Sequence, residues 1–192
     1  MVFIRKFFVT PHHLEVSSLS EADHTYIAQF TAVNPAIVGK KIEQIARMTH
    51  LKFIISRIWS GKQVIVPFAS TVIEQNDSLL VVTTKEDEEA MELLFGQKVE
   101  KDWNKQDVDW NHIDSKVESR TCIITRKELN GKRLGNLHLR VAYGINVSRV
   151  LRGDVKLLAS DDLRLQYGDR LTVVGEHEDV NNAEHFLGNS VK

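Results

Sequence analysis

"ISRIWSGKQVIV" runs from Ile55 to Val66, and "VSRVLRGDVKLL" runs from Val147 to Leu158. Both read apolar, Ser, Arg, apolar, apolar, any residue, Gly, then a polar residue and an apolar-rich segment. The second lies 92 residues after the first, and that offset aligns long flanking stretches without a gap. Gly39 falls on Gly131, Lys40 on Lys132, Ser56 on Ser148, Arg57 on Arg149 and Gly61 on Gly153. Asp77, Leu79, Val81 and Val82 fall on Asp169, Leu171, Val173 and Val174, and Glu92 and Gly96 on Glu184 and Gly188. Two copies make a tandem duplication; a solenoid needs about three.

Each phrase reads as a hairpin. "KFIISRIW" (52–59) is a strand, Ser60-Gly61 a tight turn with Gly61 at positive φ, and "QVIVPF" (63–68) the returning strand. Upstream, "YIAQFTAV" (26–33) is a strand that ends at Asn34-Pro35, and "GKKIEQIARMTH" (39–50) places Ile42, Ile45 and Ala46 on one helical face. Downstream, "NDSLLVVTT" (76–84) is a buried strand, and "KEDEEAMELLFG" (85–96) a helix with acids at its start and Gly96 as C-cap. The second copy predicts a strand near 120–125, a helix at 132–140, a hairpin at 145–158, a strand at 169–174 and a helix at 177–187.

The expected fold class is α+β: two tandem β-α-β-β-β-α units, each a mostly antiparallel sheet with helices on one side. The other side is left to bury against the partner copy. The chain divides into a lead-in (1–23), a first domain (24–96), a linker (97–117), a second domain (118–188) and a tail (189–192). The linker is polar yet holds Trp103 and Trp110. At least one of them is expected to dock between the copies, the alternative being that they cap a domain edge.

The 192 residues are 42% hydrophobic and 27% charged, with a net charge of −1, which supports a buried core and removes the electrostatic case for nucleic-acid binding. A single cysteine, Cys122, cannot form an internal disulfide, and a reducing cytoplasmic setting is expected. No apolar run approaches the ~18 residues of a membrane span. "MVFIRKFFV" (1–9) reads as a first strand or frayed end, or as a stub just outside a membrane helix.

"NPAIVGKKIEQI" and "LNGKRLGNL", "FIISRIWSGK" and "INVSRVLRGD", "IEQNDSLLVV" and "LQYGDRLTVVGE" resemble the RCK C-terminal domain, also called TrkA-C, with "GDRLTVVG" the most recognisable element. The tandem pair with its tryptophan-bearing linker resembles the cytosolic insert of aspartate–alanine exchanger family transporters. That resemblance implies a regulatory domain pair, ligand-sensing or gating, at the cytoplasmic face of the cell membrane. Its partners would be the membrane domains of the same transporter, a second copy in a homodimer and a small anionic ligand. "FIRKFF" would leave one membrane half and "LGNSVK" lead to the next. The solute would be an amino acid or organic anion. The alternative is an assembly module of a cation (potassium) transport system, without a ligand. The family's companion nucleotide domain carries a GxGxxG turn, which is absent here, so no nucleotide cofactor is expected.

Strand alternation puts Phe53, Ile55, Arg57 and Trp59 on one face, and Arg149 with Ile145, Val147 and Leu151. An Arg in an apolar file must reach a carboxylate, a carbonyl or solvent. Arg57 and Arg149 are therefore either structural ion pairs or snorkelling stems, or contacts for an anionic ligand. Asp77 and Asp169 are available as internal partners, and also read as turn residues. Some RCK C-terminal domains bind a cyclic dinucleotide at a dimer groove. "RVAYGINV" (140–147) is similar to the stretch they use, with Arg140, Asn146 and Val147 in matching places, whereas the first copy departs from it. A packed seam is the favoured reading there. The histidines show no metal spacing with Cys122 or paired carboxylates, "KEDEEAMEL" (85–93) reads as a solvated helix start, and no nucleophile elbow occurs. Neither metal nor catalysis is expected.

Overall fold

The computed structural model describes residues 25–191 apart from 62, 106–107, 112 and 114–115. The expected lead-in, with "FIRKFF", lies outside the described residues.

The first half runs β1 (Thr25–Ala32), α1 (Ile42–Met48), β2 (Ile54–Ser60), β3 (Gln63–Ile65), β4 (Ser78–Thr84), α2 (Glu88–Phe95) and β5 (Gly96–Lys98). The second runs β6 (Glu118–Ile124), α3 (Leu139–Tyr143), β7 (Asn146–Arg152), β8 (Val155–Leu158), β9 (Arg170–Gly175), α4 (His177–Leu187) and β10 (Gly188–Val191). Their sheets have the orders β3-β2-β4-β1-β5 and β8-β7-β9-β6-β10. Replacing each strand by its copy turns one order into the other, and every pairing is antiparallel. The backbone repeats in detail: φ is 80° and 79° at Gly39 and Gly131, and 59° and 58° at Gly61 and Gly153.

Each sheet has its own helix-side core. In the first half Phe30, Ile55, Ile58, Leu79 and Val81 meet Ile45, Met91 and Phe95. In the second Cys122, Ile124, Val147, Val150, Leu171 and Val173 meet Leu139, Val180, Ala183 and Leu187. The intervening residues of β1 and β4, Ile27, Leu80 and Val82, are buried on the opposite face. A strand covered on both sides reads as an unbroken apolar run, which is why "LLVV" does not alternate.

Four details differ from the sequence expectation. First, β2 and β7 do not alternate regularly. Ile55 pairs with Val81 and Arg57 with Leu80, so Ser56 is an extra residue in the ladder. Val147 pairs with Val173 and Arg149 with Thr172, so Ser148 is the equivalent extra residue. The bulge rotates the chain. Ile55 and Ile58 therefore face the helices, while Ile54, Arg57 and Trp59 do not, and Arg57 does not share a face with Ile55. Second, the expected helix at 132–140 is a 3-10 turn, Leu134–Leu137, followed by α3, with His138 between them at φ 47°. Gly135 donates its N–H to the Asp161 carbonyl at 3.0 Å. A Cβ there would lie 2.8 Å from Asp161, so the close approach requires glycine. Third, α1 starts at Ile42, after the left-handed Gly39. Fourth, each second helix is followed by a short fifth strand, so Gly96 and Gly188 both end a helix and open a strand.

Cys122 is fully buried on the helix side of β6. Burial, aided by Glu184 and Glu118 against Arg120, pushes its thiol from 9.0 up to about 11. The folded pKa is raised, so the stability linked to the neutral thiol is intact below pH 9 and lost as pH rises towards 11. Iodoacetamide near pH 8 is expected to leave the native protein unlabelled and to alkylate it once unfolded, as read by mass spectrometry.

Candidate functional site

Arg57 and Arg149 come together where the helix-free faces of the two sheets pack, Arg140 and Asn146 reach the first half from elsewhere on the seam, and Val147 lies on the helix side of its sheet. Arg57 is fully buried, and its Nη2 donates to the Ser119 hydroxyl on β6 at 2.7 Å. The bulge turns this guanidinium out of its own half and into the other. Asp77, one suggested partner, accepts the Glu74 N–H at 2.8 Å within its turn. Asp169 closes the equivalent turn on the Gln166 N–H at 2.7 Å, and takes both Nε and Nη2 of Arg152 at 2.8 Å. The carboxylate thus pairs with Arg152, not with Arg149.

Arg149 stands at the repeat position of Arg57 but in different company. The residue that corresponds to Ser119 in the first half is Ile27, which offers no side-chain acceptor. Arg149 instead donates Nε to the Thr172 hydroxyl at 3.3 Å and lies 5.5 Å from the Trp110 ring centre. Burial pushes its guanidinium below the usual value.

Arg140 and Asn146 stitch the halves together. Arg140 donates Nε to the Pro67 carbonyl at 3.1 Å, Nη2 to the Val66 carbonyl and Nη1 to the Gly144 carbonyl of its own half. Its guanidinium lies 3.7 Å from the Phe68 ring centre. Burial lowers its pKa, against Asp179 and Glu176, which raise it. The Asn146 amide donates to the Pro67 carbonyl at 3.2 Å and the Ile55 carbonyl at 3.4 Å. Val147 is buried in the second helix-side core. Arg140, Asn146 and Val147 also line a groove of about 360 Å³, together with Phe53, Phe68 and His138. The contacts are one-sided, because Met48 and Ile54 occupy the repeat positions of Arg140 and Asn146.

The linker closes the assembly. Trp103 is 3% exposed and stacks between Trp59, at 6.3 Å, and Trp110, at 5.7 Å. Its indole N–H donates to Gln29 Oε1 at 3.1 Å. The Asn104 amide grips Ile27 at both N and O, at 2.9 Å each, in place of a paired strand. Trp103, Trp110 and Leu158 cover Ile27, Leu80 and Val82, and Val64, Val66, Val117 and Val174 form a second apolar contact.

Ser119, Thr172 and Asn104 belong to this site and are not evident from composition. The repeat does carry a signal for two of them. Ser119 aligns with Ile27 and Thr172 with Leu80, polar against apolar in otherwise matched strands. Among the described residues no group of three or more His, Cys, Asp and Glu side chains is placed to hold a metal, and no helix is long and apolar enough to cross a membrane.

A family model described as the TrkA-C domain matches residues 27–96 and again 126–188. An uncharacterized transporter of Bacteroides fragilis is 50% identical over 192 residues, which are all of this chain and 35% of that protein. One from Porphyromonas gingivalis is 43% identical over 173 residues, 90% of this chain and 31% of its own length. The chain thus spans about a third of the curated relatives it matches. The solved RCK C domain of the potassium transport protein KtrA, in complex with cyclic diadenosine monophosphate, is 24% identical with a TM-score of 0.35, over 36% of this chain and 82% of that one. The GsuK RCK domain is 12% identical with a TM-score of 0.38, over 85% and 63%. On the double family match and the repeated fold, the chain belongs to the TrkA-C domain family and carries that domain twice.

Proposed function

We propose that this chain is the cytoplasmic regulatory domain pair of a membrane transporter, working without catalysis of its own. The observation that carries the reading is the match of the whole chain, at 50% identity, to a transporter of which it covers 35%. The remaining length of such a protein would hold the membrane domains, the immediate partners of this pair. The repeated domains would join two protomers into a homodimer. The tandem arrangement favours an exchanger of amino acids or organic anions, by its likeness to the aspartate–alanine exchanger insert. A cation (potassium) system is the other assignment.

The device would be the seam. Arg140 and Asn146 hold the first half by main-chain carbonyls of Ile55, Val66 and Pro67. Such contacts are made or lost together when the halves shift. A small anionic ligand changes the balance only by preferring one packing. The test is solute exchange by the full-length transporter in proteoliposomes, wild type against Arg140→Ala with Asn146→Ala. A several-fold change in rate at equal protein level and unchanged oligomeric state supports regulation. An unchanged rate, or a change that follows loss of the dimer, overturns it in favour of an assembly module.

A further inference from the structure

We propose that a cavity between the linker tryptophans and the second sheet is a binding site for a small dianion, a dicarboxylate or a phosphate group. The cavity is about 280 Å³ and is walled by Trp103 and Trp110. Its described lining contains four cations, Lys105, Arg149, Lys156 and Arg170, and no carboxylate.

Strand register sets this charge. Leu151 on β7 pairs with Lys156 on β8 and with Arg170 on β9, so the two cations stand on one face with a single strand between them. Two strand spacings separate their backbones by about 10 Å. In the next row Arg149 pairs with Thr172, which pairs with Thr121, and both threonines line the cavity. The Lys156 and Arg170 side chains line the same cavity, where an anion lying between them would meet both charges.

Two polar groups at the cavity have hydrogen-bonding capacity left over, and for Arg149 the counterpart's partner is missing. Arg57 bonds across the seam to Ser119, but Ile27 at the corresponding position denies Arg149 the same contact. Among the described residues Nη1 and Nη2 of Arg149 make no hydrogen bond; only Nε does, to Thr172. The Thr25 hydroxyl, also on the cavity wall, is buried and makes no hydrogen bond among the described residues. A planar guanidinium edge grips a carboxylate or phosphate through two parallel bonds, and a hydroxyl donates to a third oxygen. Duplication thus leaves one arginine to hold the halves together and the other to hold a ligand.

The site deepens the regulatory reading and rests on it for its purpose, whereas binding itself is measured on the 192-residue chain alone. All three tryptophans of the chain form the stack at the cavity, so their emission reports on it directly. Succinate and inorganic phosphate are titrated separately near neutral pH, with ionic strength held by sodium chloride. A saturable change is expected with at least one of them, weakened about tenfold or more in Arg149→Gln and in Arg170→Gln. Saturation by succinate alone assigns a dicarboxylate, and by phosphate alone a phosphate group. Arg170 is exposed on its strand, so that variant keeps the fold if Arg149→Gln does not. No saturation with either anion, or equal affinity in the variants, overturns the site. Binding without any effect on exchange by the full-length transporter would instead overturn the regulatory reading.

Discussion

Trp103→Ala is expected to lower the unfolding free energy by about 3–5 kcal/mol, measured by urea denaturation. By composition Trp103 belongs to a polar linker, where such a change would cost next to nothing. In the folded chain it is 3% exposed and covers Ile27, Leu80 and Val82 of the first sheet. Alanine removes the middle ring of the three-indole stack and leaves Gln29 Oε1 without its indole donor. Both the cavity and the lost hydrogen bond act in one direction. Trp110, which is only half-buried and stacks on one neighbour, is expected to cost less than half as much when replaced by alanine. A loss below about 1 kcal/mol for Trp103 would place the linker outside the packed structure.

Gly96→Ala is expected to cost at least about 3 kcal/mol, against about 1 kcal/mol for Gly61→Ala, in the same denaturation measurement. Both glycines have positive φ, but their surroundings differ. Gly61 sits at an open hairpin turn, where an added Cβ would meet nothing within 4 Å. Gly96 has φ 128° and ψ −143°, a region essentially closed to residues with a side chain. Its Cβ would lie 2.6 Å from the Thr31 carbonyl oxygen and 2.9 Å from the Val33 nitrogen. Backbone atoms cannot yield as a flexible side chain can, so β5 must detach from β1 or the helix end must unwind. Gly188, with φ 143° and a Cβ 2.3 Å from the Ile123 oxygen, predicts the same result in the second half. Equal losses for Gly96→Ala and Gly61→Ala would contradict the helix-to-strand corner.

The repeat is legible because it is written in residues that backbone geometry demands. Gly39 and Gly131, and Gly61 and Gly153, hold the same left-handed conformations, and apolar residues recur at the same strand positions. The bulge is written there too, as Ser-Arg after an apolar residue, but alternation assumes a ladder without an extra residue. Arg57 is therefore put on the same face as Ile55, when in fact Ile55 faces the helices and Arg57 the seam. The second copy's first helix is misread because apolar spacing cannot show that Gly135 must lie against Asp161. The fifth strands are missed because three or four residues after a glycine carry no periodicity of their own.

The site is less legible than the fold, for a physical reason. Equivalent residues acquire different roles once the faces around them diverge. Arg57 and Arg149 look alike in sequence, yet Ser119 faces one where Ile27 would face the other. Arg140 and Asn146 read equally as ligand contacts or seam residues, and only coordinates show their donors on the Val66, Pro67 and Ile55 carbonyls.

A double-mutant cycle on Arg57 and Ser119 tests the mating of the two halves most directly, because these residues lie 62 positions apart and meet only across the seam. Unfolding free energies of the wild type, Arg57→Ala, Ser119→Ala and the double variant should give a coupling of about 1.5–3 kcal/mol, that of a buried hydrogen bond from a charged donor. A coupling indistinguishable from zero, with both single variants folded, would mean that the halves do not pack face to face.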